Sequence, residues 1–290
     1  MQTLSTGSMM GQKPRKVPIT EWPDVSTWIL DTIPIEYNVS GSGAGLVGCV
    51  WNNDGTRLYC VADSGTGVDP VWRNTPDYSV PYVPESDTTP ESVVNPTGTR
   101  LREVAWNGDG SVMIGVDYSS NRLVELVNSG TPWTPYNPVS GDVSATIGNT
   151  FSVVASSLPR SIDISPDGYT LWYVANSTGR NIYEVTLSTA FDITSGTNGS
   201  VFAPPQGDMV AMKFSPTGLK FYALGLDRVL YEYTCTVAFD ISTASYSGNS
   251  IDVTNSRTPV CFDVSPDATK LVIGFFSTTS SANELGIYTV

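Results

Sequence analysis

The chain has 290 residues, of which 40% are hydrophobic, and its formal net charge is −13 with a pI near 4.3, so nucleic acid is a poor partner. It contains no histidine, which excludes Ser-His-Asp and Cys-His catalysis and histidine-ligated zinc. No apolar run approaches the roughly 18 residues of a membrane helix, so we predict no membrane span.

The first segment along the chain, residues 1–24, does not share the pattern of the rest. It is polar, contains Gly, Ser and Pro, and carries a local basic cluster of Lys13, Arg15 and Lys16. It lacks the apolar stretch of a secretory signal. The segment is either a disordered tail or an extended arm that binds a neighbouring, acidic subunit and becomes ordered on assembly.

Residues 25–290 contain a short sequence motif that occurs five times. Two alternating apolar positions are followed by a polar pair, by Asp-Gly or a near substitute, and then by another apolar run. The copies occupy residues 49–55, 104–110, 162–168, 212–218 and 262–268. A spacing of roughly 50 residues is within the range of solenoids and propellers.

The third copy shows how one repeat is expected to fold. Residues 161–164 alternate as a strand does, and Ser165-Pro166-Asp167-Gly168 has the composition of a turn whose glycine takes positive φ. Residues 170–174 are apolar on both faces, and residues 181–187 form a third strand. We place a fourth, outer strand around Phe191-Asp192-Ile193. Four antiparallel strands without a helix are typical of a propeller blade.

Burial on two faces distinguishes the propeller from a sandwich, whose strands bury one face only. We therefore predict an all-β fold: a single β-propeller of five four-stranded blades. The segment 28–41 resembles the outer-strand segments, and we predict that it pairs with residues 284–290 and so completes the C-terminal blade. The long excursion at residues 63–99 leaves a sixth, degenerate blade open.

Two features of the repeats resemble known families. Ser165-Pro166-Asp167-Gly168 with Leu171-Trp172-Tyr173-Val174 is similar to the repeat of the YVTN and WD40-like propellers. The tails at residues 186–194 and 236–244 resemble the Leu-Ser-Thr-Ala-Phe-Asp-Ile-Ser-Thr repeats of tailed-phage and marine-virus proteins. That resemblance implies a virion-associated propeller, and its motif carries no catalytic residue.

The innermost strand of each repeat offers one candidate position for an axial side chain, which in the last three repeats lies three places before the turn proline. Four of these positions are charged, namely Glu103, Asp163, Lys213 and Asp263, and the fifth is Val50. The carboxylates would bind a cation, or supply an acid/base pair for glycoside chemistry. Alternatively, they line a water-filled channel in which Lys213 balances their charge.

The loops that join second and third strands are expected on one face of the propeller. Short polar side chains there, with Tyr118, Phe275 and Phe276 among them, suit sugar binding, although Ser, Asn, Asp and Gly are also common in ordinary turns. The candidate binding residues on this face are Asp63, Asp117, Tyr118, Asn176, Arg180, Asp227 and Phe275.

The four cysteines lie in strand-like runs without CxxC spacing, and we predict free, buried thiols and neither a metal site nor a cofactor. The first functional hypothesis is a non-enzymatic virion protein, a phage tail or head accessory assembled in the host cytoplasm. Its arm would bind other virion proteins, and its propeller would serve assembly or attachment to a host-surface glycan. The alternatives are a carbohydrate-active enzyme that uses the axial carboxylates and a lectin-like binding module or cellular scaffold.

Overall fold

A computed structural model gives the fold of the chain. It describes residues 21–28, 30–35, 45–53, 55, 57–63, 71–75, 89–94, 99–126, 147–154, 158–176, 179–253, 257–276 and 284–290. Within these ranges the regular structure consists of twenty β-strands and three short 3-10 helices. The basic residues Lys13, Arg15 and Lys16 of the predicted arm lie outside the described residues.

The strands, numbered in chain order, form five four-stranded antiparallel sheets. The first sheet contains β2 (Gly45–Trp51), β3 (Leu58–Asp63), β4 (Val71–Thr75) and β5 (Thr89–Val94). The second contains β6 (Leu101–Trp106), β7 (Met113–Asp117), β8 (Arg122–Leu126) and β9 (Ile147–Ser152). The third contains β10 (Pro159–Ile164), β11 (Thr170–Ala175), β12 (Ile182–Leu187) and β13 (Gly196–Phe202).

The fourth sheet contains β14 (Met209–Phe214), β15 (Lys220–Gly225), β16 (Val229–Cys235) and β17 (Ala244–Asp252). The fifth contains β18 (Thr258–Val264), β19 (Lys270–Phe276), β20 (Glu284–Thr289) and, from the other end of the chain, β1 (Asp31–Ile35). The 3-10 helices are Val25–Thr27, Ile193–Ser195 and Ile241–Thr243.

The five sheets are arranged as the blades of a propeller. Their innermost strands β2, β6, β10, β14 and β18 contact one another in that cyclic order, and β18 contacts β2. Each pair of successive sheets encloses its own apolar core. Because each blade packs on two neighbours, the second strands β7, β11 and β15 are apolar on both faces and almost entirely buried. The predicted all-β propeller is confirmed.

The N-terminal strand completes the last sheet, as predicted. β1 pairs antiparallel with β20 over five residues, from Asp31 opposite Thr289 to Ile35 opposite Leu285. This pairing covers an edge of β20 that would otherwise expose unpaired backbone groups.

The boundary predicted between the arm and the propeller, at residue 24, is placed too late. Trp22 is buried in the core between the fourth and fifth sheets, where its ring stacks on Tyr222 at a centroid distance of 5.3 Å. The hydroxyl of Tyr222 donates to the carbonyl of Pro23 at 2.6 Å, and Asp24 forms an ion pair with Lys220. Residues 21–24 are therefore part of the propeller body.

The turns between first and second strands follow the expected chemistry. In the third sheet the N–H of Gly168 donates to the carbonyl of Ser165 at 2.9 Å, and Gly168 has φ +77°. The fourth strand, however, begins later than predicted. The Asp192 side chain accepts from the N–H of Thr194 at 2.9 Å, which caps the 3-10 helix Ile193–Ser195, and β13 starts only after this helix.

The excursion at residues 63–99 contains β4 and β5, which complete the first sheet. The four cysteines are free and buried, as predicted. Burial raises the pKa of the Cys49 and Cys60 thiols, so neither is an activated nucleophile. In the described part of the chain, no helix has the length and apolar character to span a membrane.

Candidate functional site: an arginine-lined cavity at the propeller axis

A β-bulge near the start of every innermost strand shapes one end of the propeller. The register between the first and second strands shifts at this point in all five sheets. A bulge re-aims the side chain of its extra residue. The side chains displaced in this way include Val47, Arg102, Arg160 and Val260.

These four bulge residues line a cavity of about 520 Å³ at the mouth of the axis, here called the mouth cavity. The other lining residues come from strand ends and from the loops between second and third strands, and are Gly45, Asp63, Arg180, Leu226, Thr258 and Phe276. The volume is typical of small-molecule sites, which range over about 300–1,000 Å³. Half of the lining is apolar, and three arginines against one aspartate make its formal charge positive within an acidic protein.

The arginines are organised around one aromatic ring. The guanidinium carbon of Arg102 lies 4.6 Å from the centroid of Tyr118, and those of Arg100 and Arg160 each lie 5.9 Å from it. Cation–π attraction of this kind holds the guanidinium groups in place.

The one carboxylate of the mouth cavity is already engaged. Asp63 accepts from Arg100 at 2.8 Å and from Arg102 at 2.7 Å. Arg160 and Arg180 form no ion pair with a carboxylate in the described residues. Burial, together with the positive charges of Arg180 and Arg102, lowers the pKa of Arg160. The cavity thus holds Arg160 and Arg180 near each other, while its carboxylate, Asp63, pairs with Arg100 and Arg102.

Several guanidinium nitrogens in this cavity have unused donor capacity. Nε of Arg102, Nε of Arg160 and Nη1 of Arg180 are buried and have no hydrogen-bond partner in the described part of the chain. A buried donor without an acceptor carries a free-energy cost.

The predicted loop-face residues divide into two groups. Asp63 and Arg180 line the mouth cavity, and Tyr118 supports its arginines. Asn176 and Asp227 lie on loops of the same face but do not line the mouth cavity. The backbone N–H of Asn176 donates to the carbonyl of Leu158 at 3.0 Å, and the Asp227 carboxylate accepts from the Tyr231 hydroxyl.

Two of these predictions are corrected by burial. Asp117 is fully buried and serves its own loop, because it accepts from Nε of Arg122 at 2.9 Å and from the Ser119 hydroxyl at 2.8 Å. Phe275 is also fully buried, in the core between the fourth and fifth sheets. The next residue, Phe276, is 40% exposed and lines the cavity, since successive side chains of a strand point to opposite faces. The aromatic surface of the site is therefore Phe276.

The axial residues hold neighbouring blades together. Glu103 accepts from the N–H of Ile162 at 2.9 Å, Asp163 from the N–H of Phe214 at 2.7 Å, and Asp263 from the N–H of Trp51 at 2.8 Å. Lys213 donates to the carbonyl of Ile162 at 2.9 Å and lies 3.6 Å from the Glu103 carboxylate. Each of the hydrogen bonds joins adjacent innermost strands, and the contact between Lys213 and Glu103 links β14 with β6 across the intervening β10.

Burial also decides the electrostatics of the axial residues. Desolvation raises the pKa of Glu103 to about 7 and that of Asp263 to about 6, against the lowering effect of Lys213. Asp163, Lys213 and Asp263 border a second cavity of about 190 Å³ at the opposite end of the axis, beside Trp22. In the described residues no group of three or more acidic or cysteine side chains is placed to hold a metal ion.

Sequence reasoning missed Arg102 and Arg160. An available signal was the position of the two arginines, which stand in the first residues of innermost strands in a chain with only 15 lysines and arginines. The period-2 pattern does not show a bulge, and so it does not show that both side chains turn toward the axis.

Comparison with known proteins assigns no family to this chain. No protein-family model matches the chain, and no curated protein matches it. Two solved structures similar to it are proteins provisionally assigned as 6-phosphogluconolactonases. The one from Bacteroides uniformis ATCC 8492 has a TM-score of 0.47 at 14% identity, with 83% of this chain and 70% of that chain covered. The one from Bacteroides fragilis NCTC 9343 has a TM-score of 0.48 at 16% identity, and the match covers 78% of this chain and 61% of the other.

Proposed function

We propose that this chain is a non-enzymatic binding propeller: a virion structural protein, assembled in the host cytoplasm, that serves assembly and attachment to a host surface. The observation that carries the non-enzymatic part is the use made of the axial charges. Glu103, Asp163 and Asp263 accept backbone hydrogen bonds from neighbouring blades, so the acid/base set that the sequence offers is engaged in holding the ring. We therefore propose the mouth cavity as the site where the protein binds a ligand without converting it to a product.

The resemblance of the tails to repeats of tailed-phage and marine-virus proteins supports the virion assignment. The charge distribution supports an arm-mediated anchor. The body is acidic, and the N-terminal segment carries Lys13, Arg15 and Lys16. An acidic partner subunit would be repelled by the body and attracted by this segment.

We further infer that the five sheets are the complete set of blades in one closed ring. The cyclic contacts among the innermost strands support this inference, as do the five apolar cores between successive sheets. The N-terminal strand β1 then serves as the closure of the ring.

Co-sedimentation with assembled particles tests the virion assignment. We expect the full chain to sediment with virus particles, and the variant with Lys13→Glu, Arg15→Glu and Lys16→Glu to remain in the soluble fraction with an unchanged melting temperature. The matched control exchanges Lys13→Arg, Arg15→Lys and Lys16→Arg, which keeps the charge and should keep incorporation. An exposed contact of this kind weakens at high ionic strength, because the screening length falls to about 3 Å at 1 M salt. Absence of the full chain from particles would contradict the assignment.

Substitution of the axial carboxylates tests the non-enzymatic part. Asp163→Asn and Asp263→Asn keep an oxygen acceptor for the neighbouring N–H, and we expect particle incorporation and host attachment to remain largely intact in both variants. A glycosidase or lyase activity of the full chain that both substitutions abolish, in folded protein, would establish an enzyme instead.

A further inference from the structure

We propose that the mouth cavity binds an acidic sugar, with the anionic group held by Arg160 and Arg180 and an apolar face of the ring packed on Phe276. This inference rests on the proposed binding function and specifies its ligand class. A sugar that bears a carboxylate or a sulfate group satisfies both halves of the cavity, the cationic one and the apolar one.

The surroundings of Arg160 and Arg180 indicate that the ligand carries an anionic group. Neither has a carboxylate partner in the described residues, and each has a buried nitrogen without an acceptor there. Planar guanidinium groups bind oxyanions through paired N–H donors, and such charge-assisted hydrogen bonds are about twice as strong as neutral ones. An oxyanion between Arg160 and Arg180 would accept from the guanidinium groups that line the cavity, and it would offset the mutual repulsion that adds to burial in lowering the pKa of Arg160.

Asp63 engages two of the four arginines and so leaves Arg160 and Arg180 as the ones that would bind an anionic ligand. Its carboxylate pairs with Arg100 and Arg102 and so neutralises part of their charge. The Tyr118 ring holds the guanidinium groups of Arg102 and Arg160 before any ligand arrives. A preorganised site loses less side-chain entropy on binding than one whose side chains must first be ordered.

The apolar residues of the lining indicate that the ligand also has an apolar face, as a sugar ring does. Phe276 is 40% exposed although it is aromatic, and its ring packs so closely on Gly45 that a Cβ there would lie 2.7 Å from Cε2. Val47, Leu226 and Val260 extend the apolar wall, and Thr258 adds a hydroxyl. An inorganic anion would leave this wall without a partner, whereas the apolar face of a pyranose ring would cover it.

Calorimetric titration of the full chain tests the proposal, with glucuronic acid, glucose 6-sulfate, glucose and inorganic sulfate as probes. We expect at least one of the two acidic sugars to bind and its affinity to fall with added salt. Glucose and inorganic sulfate should each bind about tenfold or more weakly, because each satisfies only one half of the cavity. A neutral sugar or free sulfate that binds as tightly as the acidic sugars would overturn the proposal.

Arginine substitutions locate the site. Arg160→Gln and Arg180→Gln should each weaken binding of the acidic sugar about tenfold, through the loss of charge-assisted hydrogen bonds. Arg228→Gln is the matched control, because Arg228 occupies the equivalent loop of the fourth sheet with the same left-handed backbone but does not line the cavity. Phe276→Leu keeps an apolar side chain without the flat ring and should weaken the acidic sugars while leaving sulfate unchanged. Equal affinities in Arg180→Gln, Arg228→Gln and the parent chain would overturn the assignment.

The outcomes separate this inference from the function on which it rests. Failure of both acidic sugars to bind, with particle incorporation retained, would overturn the ligand class and leave the proposed function standing. Binding accompanied by conversion of the sugar to a product would support the ligand class and overturn the non-enzymatic function.

Discussion

Lys213 is the ionisable side chain around which the axial charges are arranged. It is 3% exposed, and the negative charges of Glu103, Asp163 and Asp263 favour its protonated form, which raises its pKa. Its removal would leave the neighbouring carboxylates buried without a cation. Breaking a buried ion pair by removal of one partner is far more destabilising than loss of a surface pair.

We therefore predict that Lys213→Met lowers the free energy of unfolding by about 3–5 kcal/mol. Lys270→Met is the control, because within the described residues the Lys270 ammonium group forms an exposed hydrogen bond to the Thr289 hydroxyl at 2.7 Å and no ion pair, and its loss should cost less than about 1 kcal/mol. Urea unfolding followed by tryptophan fluorescence measures both. Similar losses in the two variants would mean that the axial charges do not hold the ring together.

The raised pKa of Glu103 predicts that the stability of the protein depends on pH. Its folded-state value of about 7 lies above the value near 4.3 expected in the unfolded chain. Between these values the folded state binds more protons than the unfolded state, so the free energy of unfolding falls as pH rises through this window. Asp263, raised to about 6, acts in the same direction.

We expect the melting temperature to fall from about pH 5 to about pH 8, and to fall less steeply in Glu103→Gln, which removes the titration and keeps an acceptor for Ile162. Asp252→Asn, at an exposed position, is the control for the loss of one negative charge from an acidic protein and should keep the parent slope. Equal slopes in the parent chain and Glu103→Gln would contradict the assignment of the titration to Glu103.

At the scale of the element, the turn glycine and the tail phenylalanine of one blade belong to the same contact. In the fourth sheet the N–H of Phe239 donates to the carbonyl of Gly218 at 2.9 Å, and a Cβ on Gly218 would lie 2.5 Å from the Phe239 ring. The third sheet repeats this contact with Phe191 and Gly168. The recurrent tail is thus a latch from the outer edge of a blade to the turn of its innermost hairpin.

The fifth repeat differs from the others at this turn position, and the topology of its blade gives the reason. Ala268 stands where other copies have glycine and adopts the left-handed region at φ +55°. The outer strand of this blade is β1, from the start of the chain, so this blade lacks the connection from third to outer strand that carries the phenylalanine in the third and fourth sheets. Space for a Cβ therefore remains at Ala268.

We predict opposite effects for two exchanges at this turn position. Gly218→Ala should lower the free energy of unfolding by about 2 kcal/mol or more, since it adds left-handed strain and displaces the Phe239 ring. Ala268→Gly should be neutral or stabilise by less than about 1 kcal/mol, because relief of strain is offset by the entropy of glycine. Chemical denaturation compares them. A loss in Ala268→Gly as large as that in Gly218→Ala would contradict the latch.

Elements were more predictable than the contacts between them. Alternation and turn chemistry gave the strands of each repeat, because both depend on neighbours in sequence. The start of β13 was misplaced because the Asp192 cap continues the turn into a 3-10 helix. Phe275 and Phe276 were both expected on the loop face, but successive side chains of a strand point to opposite faces, so Phe275 lies in the core and Phe276 lines the cavity.

At the scale of the whole molecule, the site is a property of ring closure. Arg160 comes from the third blade, Val47 from the first and Phe276 from the fifth, and only the ring brings them to one cavity. The sequence predicted the axial positions because every repeat has one. It did not predict their partners, because Trp51 and Asp263 meet only through the placement of one blade against another.

The N-terminal segment provides this closure through two separate contributions. β1 satisfies the backbone edge of β20, and Trp22, Val25 and Trp28 are buried in the core between the fourth and fifth sheets. Burial of each such side chain contributes roughly 1.5–3 kcal/mol or more. Together with the strand pairing this is comparable with the entire stability of a typical domain, about 5–15 kcal/mol.

We therefore predict that deletion of residues 1–41 yields a protein that aggregates or melts without a cooperative transition, because it exposes the β20 edge and opens a core. Deletion of residues 1–20 is the matched control: it keeps Trp22 and β1 and should melt like the full chain. Differential scanning calorimetry with size-exclusion chromatography makes the comparison. A soluble, monomeric protein without residues 1–41 whose melting temperature equals that of the full chain would contradict closure by β1. Blade-to-blade contacts such as that between Asp263 and Trp51 would then be sufficient to hold the ring.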